Sequence, residues 1–91
     1  DDFACLGGMN ILREKGFRIP EDISIAGYDG LRIGRHVDPK LTTLKQDTGK
    51  LGSFAAEKLI GQIESPKTSV PEILVVKGEV FEGGSVGSLE L

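Results

Sequence analysis

The sequence predicts an α/β fold, a partial layered parallel sheet of about three strands flanked by two helices. Three observations carry that reading. Two stretches repeat apolar residues at spacings of three and four, as helices buried along one face do. The short runs between them are apolar and rich in β-branched residues, like strands covered on both faces. A helix also runs into a strand through a short connection, which is half of an α/β unit.

The first helix is expected over residues 2–15. Asp2 is the expected N-cap, and Asp1 and Asp2 both suit the positive end of a helix dipole. Cys5, Met9 and Leu12, with Leu6 beside them, form its apolar stripe. Gly16 follows Arg13 and Lys15 and supplies a left-handed stop. Phe17 to Asp22 contains Pro20 and reads as a loop. Ile23-Ser24-Ile25-Ala26-Gly27 is the first expected strand, closed by the turn chemistry of Gly27-Tyr28-Asp29-Gly30. Leu31 to Lys40 is irregular, and Leu41 to Lys45 has the β-propensity of a second strand. Asp47 or Thr48 then caps a second helix near residues 48–64, with Leu51, Ala55, Leu59 and Ile63 in line and Phe54 and Ile60 widening the stripe. Ser65-Pro66 ends it, and Ile73 to Val76 is the third expected strand. From Gly78 the glycines crowd together. The chain is therefore divided into residues 1–77 and a glycine-rich tail, 78–91, expected to be a loose end. Two helices give thin cover for both faces of a sheet, so the chain is expected to be part of something larger or to pair with a copy of itself.

Composition narrows the function. The chain has 91 residues, enough for one small domain. Lys plus Arg is 11 against 14 for Asp plus Glu, a net charge of -3, which leaves no electrostatic footprint for nucleic acid or an anionic membrane. A single cysteine, Cys5, makes neither an internal disulfide nor a zinc cage, and no apolar run is long enough to span a bilayer. The sequence starts at Asp1 rather than Met, so its natural beginning is expected to lie upstream.

Asp29 is the leading functional candidate on residue chemistry alone. It follows an apolar strand, between Gly27 and Gly30, and ligands of open α/β sheets bind beyond the carboxyl ends of strands. A carboxylate there can accept two hydrogen bonds from a sugar diol, or it can bond its own backbone in a turn. His36 and Asp38 suggest a catalytic dyad, but no G-x-S-x-G elbow supplies a nucleophile, so His36 reads as a solvent-exposed loop residue. Thr48-Gly49-Lys50 fails as a phosphate loop, because Leu44 stands where the first glycine belongs and Leu51 where Ser or Thr belongs. Catalytic residues, metal ligands and a cofactor-binding motif are not legible.

The fragments in order are more specific than any one alone. Asp1-Asp2-Phe3-Ala4-Cys5-Leu6-Gly7 resembles the Asn-Asp-x-x-Ala-x-Gly helix start of the lactose-repressor (LacI/GalR) family of bacterial transcription regulators. Gly16 to Asp29 resembles that family's G-x-x-x-P-x-D-I-S-V-x-G-[FY]-D segment. Pro39 to Gln46 resembles P-x-L-T-T-[VI]-x-Q, and Leu51-Gly52 with Ala55 or Ala56 resembles L-G-x-x-A. The family's closing Arg-x-Ser is replaced by Val76 to Val86, so the match is weak at the C-terminal end.

The resemblance implies the last third of an effector-binding core, built like a periplasmic binding protein and joined in the family to a helix-turn-helix DNA-binding domain. It implies a sugar-like small-molecule effector held between two lobes, whose occupancy alters DNA affinity. It implies effector contacts at Asp29, at Asp1 in place of the family's Asn, and at Gln46. Family dimerisation surfaces correspond to the first helix and to Leu31–Asp38, placing Met9, Leu12, Ile33 and His36 at a homodimer interface. It implies a cytoplasmic regulator that is not an enzyme, needs no cofactor, does not touch membranes and reaches DNA only through the absent domain. A periplasmic sugar-binding protein of an uptake system, and an enzyme on a related α/β fold, are the alternative readings.

Overall fold

The computed structural model of the chain describes residues 1–89. Helix α1 spans Asp2–Glu14, strand β1 Ala26–Asp29, a 3-10 turn Arg32–Arg35, β2 Thr42–Lys45, α2 Thr48–Glu64 and β3 Glu79–Phe81. These elements fall into two compact units. One holds Asp1–Lys45 with the segment from Glu79 onward, and the other is Gln46–Gly78.

The first unit contains a three-stranded sheet in the order β1-β2-β3. β1 and β2 are parallel, with Ala26 opposite Thr42 and Asp29 opposite Lys45. β3 is antiparallel to β2, with Thr43 opposite Phe81. Helix α1 lies against β1. Met9, Ile19 and Leu41 form the core, and Cys5, Leu6, Leu12, Ile25 and Val37 pack around them. The Cys5 thiol sits at the core edge and points to the Ala26 carbonyl at 3.3 Å. Past the helix end, Gly16 adopts φ 86°, and the Phe17 N–H reaches back to the Leu12 carbonyl at 3.0 Å. That closure is a Schellman turn, and it needs the residue without a Cβ. In the following loop the Arg18 guanidinium pairs with Asp22 at 3.2 Å. Hydrogen bonds from the Arg18 side chain and backbone hold the Asp22 carboxyl below its ordinary range.

The structure corrects four expectations, each for a traceable reason. The N-cap of α1 is Asp1, not Asp2: its side chain accepts from the Ala4 N–H at 2.8 Å. The first strand starts at Ala26 rather than Ile23 because the bonds of residue 25 go elsewhere. The Ile25 N–H donates to the Ser85 carbonyl at 2.9 Å, and the Ile25 carbonyl accepts from the Ser85 hydroxyl at 2.6 Å. Residues 73–76 form no strand, and Ile73 and Val75 are 94% and 84% exposed. Their own unit offers no second strand among its described residues to pair with. The third strand lies instead in the expected loose end. There β3 forms, the Gly84 N–H donates to the Lys40 carbonyl at 2.7 Å, and the Gly87 N–H donates to the Ser24 hydroxyl at 2.9 Å.

The second unit is built on α2, whose bounds match the sequence expectation. Asp47 caps it by accepting from the Lys50 N–H at 3.0 Å. Lys58 forms an ion pair with Glu72. No residue of α2 is buried, and the exposure of its apolar stripe rises from 37% at Leu51 to 70% at Ile63. A stripe of this length on a stable helix implies a surface to bury it.

Candidate functional site at the carboxyl end of the sheet

Asp29 closes β1 with φ 121°, a backbone conformation that residues with a side chain rarely adopt. Gly30 follows at φ 75°. A Cβ on Gly30 would stand 2.6 Å from the Lys45 Cα, so only glycine lets the chain pass β2 there. The aspartate is half-buried. Its backbone is thus turned sharply at the end of the parallel pair.

Behind that end of the sheet lies a polar cluster that sequence reasoning missed. Asp2 is fully buried, at 0% exposure. One carboxylate oxygen accepts from the Leu31 N–H at 2.7 Å, and the other accepts from the Thr43 hydroxyl at 2.8 Å. Thr43 Oγ1 in turn accepts from the Gly30 N–H at 3.2 Å. Asp2 also presses on β1 so closely that a methyl group on Gly27 would overlap it. Gly27 is the signal that could have pointed here, since glycine within an apolar strand marks a close approach by another group.

Of the expected effector contacts, the structure brings two to one end of the sheet. Asp1 adjoins Asp2, and Asp2 bonds the backbone two residues beyond Asp29. Asp1 is exposed, and one of its oxygens is occupied by capping α1. Gln46 opens the other unit, just before the cap of α2. Among the residues expected at a dimer surface, Ile33 and His36 are exposed and Leu12 is half-buried. Met9 is a correction: at 1% exposure it fills the core, because α1 turns that side of its stripe onto the sheet. Exposed apolar side chains of α1 stand instead at Phe3 and Ile11.

Chemically, this end of the sheet offers carboxylate acceptors. Ionised carboxylates receive hydrogen bonds and make none, so they match hydroxyl donors such as those of a sugar. His36 ends the 3-10 turn and is exposed, and Asp38 holds Arg13 through its backbone carbonyl. Among the described residues, no group of three or more His, Cys, Asp or Glu side chains is placed to hold a metal ion. Among the described residues, no helix is long and apolar enough to cross a membrane.

A periplasmic binding protein-like domain matches residues 1–86. The HTH-type transcriptional repressor PurR of Vibrio atlanticus is 37% identical over 89 residues, covering 98% of this chain and 26% of that repressor. The ribose operon repressor of Haemophilus influenzae is 37% identical over 65 residues, covering 71% of this chain and 20% of that protein. The chain thus spans about a quarter or less of the curated relatives it matches. Among solved structures, a LacI transcriptional regulator from Bacillus cereus subsp. cytotoxis superposes with a TM-score of 0.91 over 99% of this chain and 32% of its own, at 23% identity. That likeness speaks to fold. A LacI family regulator from Enterococcus faecalis V583, solved with bound ribose, reaches a TM-score of 0.81 at 34% identity, over 92% of this chain and 31% of its own.

Proposed function

The chain belongs to the periplasmic binding protein-like domain family, in the company of LacI-type transcription regulators, and on that premise we propose that it is part of the effector-sensing core of such a regulator. Its effector is a small sugar-like metabolite held at the carboxyl end of the sheet. Asp29 accepts hydrogen bonds from ligand hydroxyls, with Asp1 and Gln46 as further contacts. Occupancy shifts the balance between two conformations and so the DNA affinity of a helix-turn-helix domain carried elsewhere in the regulator. The protein works in the cytoplasm and does not catalyse a reaction.

One observation carries this reading: the half-buried Asp29 carboxylate, set by a positive φ at the end of the parallel pair. The repressor relatives favour it over an uptake-system binding protein, and the ribose-bound regulator supports a pentose-like ligand. The test is calorimetric titration of the complete regulator with D-ribose and a panel of other monosaccharides. Saturable binding of at least one sugar, with a change in operator affinity, is expected. Absence of binding across the panel overturns the sugar reading.

The regulator is further proposed to be a homodimer, with Ile33 and His36 in its interface beside the exposed face of α1. The isolated 91-residue chain, with no residue of α2 buried, is expected to self-associate and to bind no sugar. Light scattering at low concentration checks this, and a well-folded monomer contradicts it.

A further inference from the structure

The buried carboxylate of Asp2 does more than hold α1 to the sheet. It sits on a path of hydrogen bonds that joins the first turn of α1 to the two residues following Asp29. Its two oxygens divide the work. One holds the Leu31 N–H at 2.7 Å directly. The other receives the Thr43 hydroxyl at 2.8 Å, which leaves the lone pairs of Thr43 Oγ1 to accept the Gly30 N–H at 3.2 Å. Asp2 is 0% and Thr43 5% exposed, so bulk water does not compete for these bonds in the intact protein. Gly30 and Leu31 are otherwise the start of an irregular segment, where no strand ladder fixes the backbone.

We propose that Asp2, acting with Thr43, is a positioning residue that fixes where Asp29 stands relative to Asp1. Asp1 is the covalent neighbour of Asp2, and Asp29 is the covalent neighbour of Gly30. The same buried carboxylate therefore sets the spacing of the two acidic groups at that end of the sheet, and with it the spacing of the ligand hydroxyls they accept. Gly27 completes the device, since any side chain there would collide with Asp2. The inference rests on the reading of Asp29 and Asp1 as effector contacts, but the path of hydrogen bonds is testable without it.

The experiment compares Asp2→Ala, Thr43→Val and Thr43→Ser in the complete regulator by two measurements, amide hydrogen exchange and calorimetric titration with D-ribose. Asp2→Ala is expected to speed exchange at both Gly30 and Leu31 by about tenfold or more, with β2 amides little changed. Thr43→Val, which keeps the shape and deletes the hydroxyl, is expected to speed exchange at Gly30 and spare Leu31. Thr43→Ser restores the hydroxyl and is expected to restore Gly30. Ribose affinity is expected to fall about tenfold in the two disruptive variants and to recover in Thr43→Ser. Unchanged exchange at Gly30 and Leu31, or an equal loss of protection throughout the sheet, overturns the proposal. Faster exchange with unchanged ribose affinity overturns the positioning role. Should Asp2→Ala fail to fold, the contrast between the two Thr43 variants decides. If the unaltered regulator binds no ribose, that result counts against the ligand assignment, and the exchange pattern alone decides whether Asp2 and Thr43 hold the loop.

Discussion

Asp29→Ala is expected to weaken effector binding in the complete regulator by about 100-fold or more in calorimetric titration. The magnitude follows from the chemistry. A carboxylate that accepts two hydroxyl hydrogen bonds contributes about 1.5 kcal/mol or more through each, and about 3 kcal/mol corresponds to a hundredfold in affinity. Alanine also fits poorly at φ 121°, so a backbone effect has to be separated from a chemical one. Asp29→Gly does that, because glycine adopts this conformation without strain while lacking the carboxylate. The glycine variant is expected to lose binding as fully as alanine while keeping the unfolding midpoint of the unaltered protein. Asp29→Asn keeps one acceptor and exchanges the other for a donor, and its affinity is expected to fall between that of the unaltered protein and that of the glycine variant. Unchanged affinity in Asp29→Gly would remove Asp29 from the site.

The helices and β2 were legible in the sequence, β1 was legible in part, and the third strand was not. α2 runs over Thr48–Glu64 with Asp47 as cap, and its signals are local: a capping aspartate, apolar residues every third or fourth place, and Ser65-Pro66 at the end. Strand pairing depends on partners distant in the chain. Ile73 to Val76 has the residues of a strand and no ladder to join. Glu79–Phe81 has a weaker pattern and a partner in β2, so it forms one. β1 begins late for the same kind of reason, since Ser85 takes the bonds of Ile25 from sixty residues away.

The candidate site divides in the same way. The place of Asp29 at the end of β1 was legible because an aspartate between glycines after an apolar run is a local pattern. Asp2 and Asp1 exchanged roles because an aspartate at a helix start serves equally as a cap or as a buried acceptor, and only the position of Thr43 decides which. Met9 lay on the expected stripe of α1, but a stripe does not say whether the sheet or a second chain will cover it.

Gly83→Ala tests how firmly the C-terminal segment is tied in, and it is the substitution expected to cost most in stability. The segment crosses the start of β2 at very close range. The Gly83 N–H donates to the Thr42 hydroxyl at 3.1 Å and the Gly84 N–H donates to the Lys40 carbonyl at 2.7 Å. Ser85, fully buried, receives the Thr42 N–H at 2.8 Å. A methyl group on Gly83 would overlap the Lys40 carbonyl oxygen, and the atoms it meets are backbone, which cannot swing aside as a side chain can. Relief requires the crossing to open, which breaks the bond to Lys40 and strains those of Ser85. The expected loss is about 3 kcal/mol, the upper part of the usual range for forcing atoms into filled space. Gly84→Ala is the matched control. Its methyl group would come no nearer than 3.2 Å to the Pro39 side chain, and a shift of a few tenths of an ångström accommodates it. Urea unfolding of the complete regulator should therefore show a large drop in midpoint for Gly83→Ala and little for Gly84→Ala. Equal midpoints would mean that the segment from Glu79 onward is loosely held, as its run of glycines first suggests, and that Ser85 does not stand in for the missing ladder between Ile25 and Thr42.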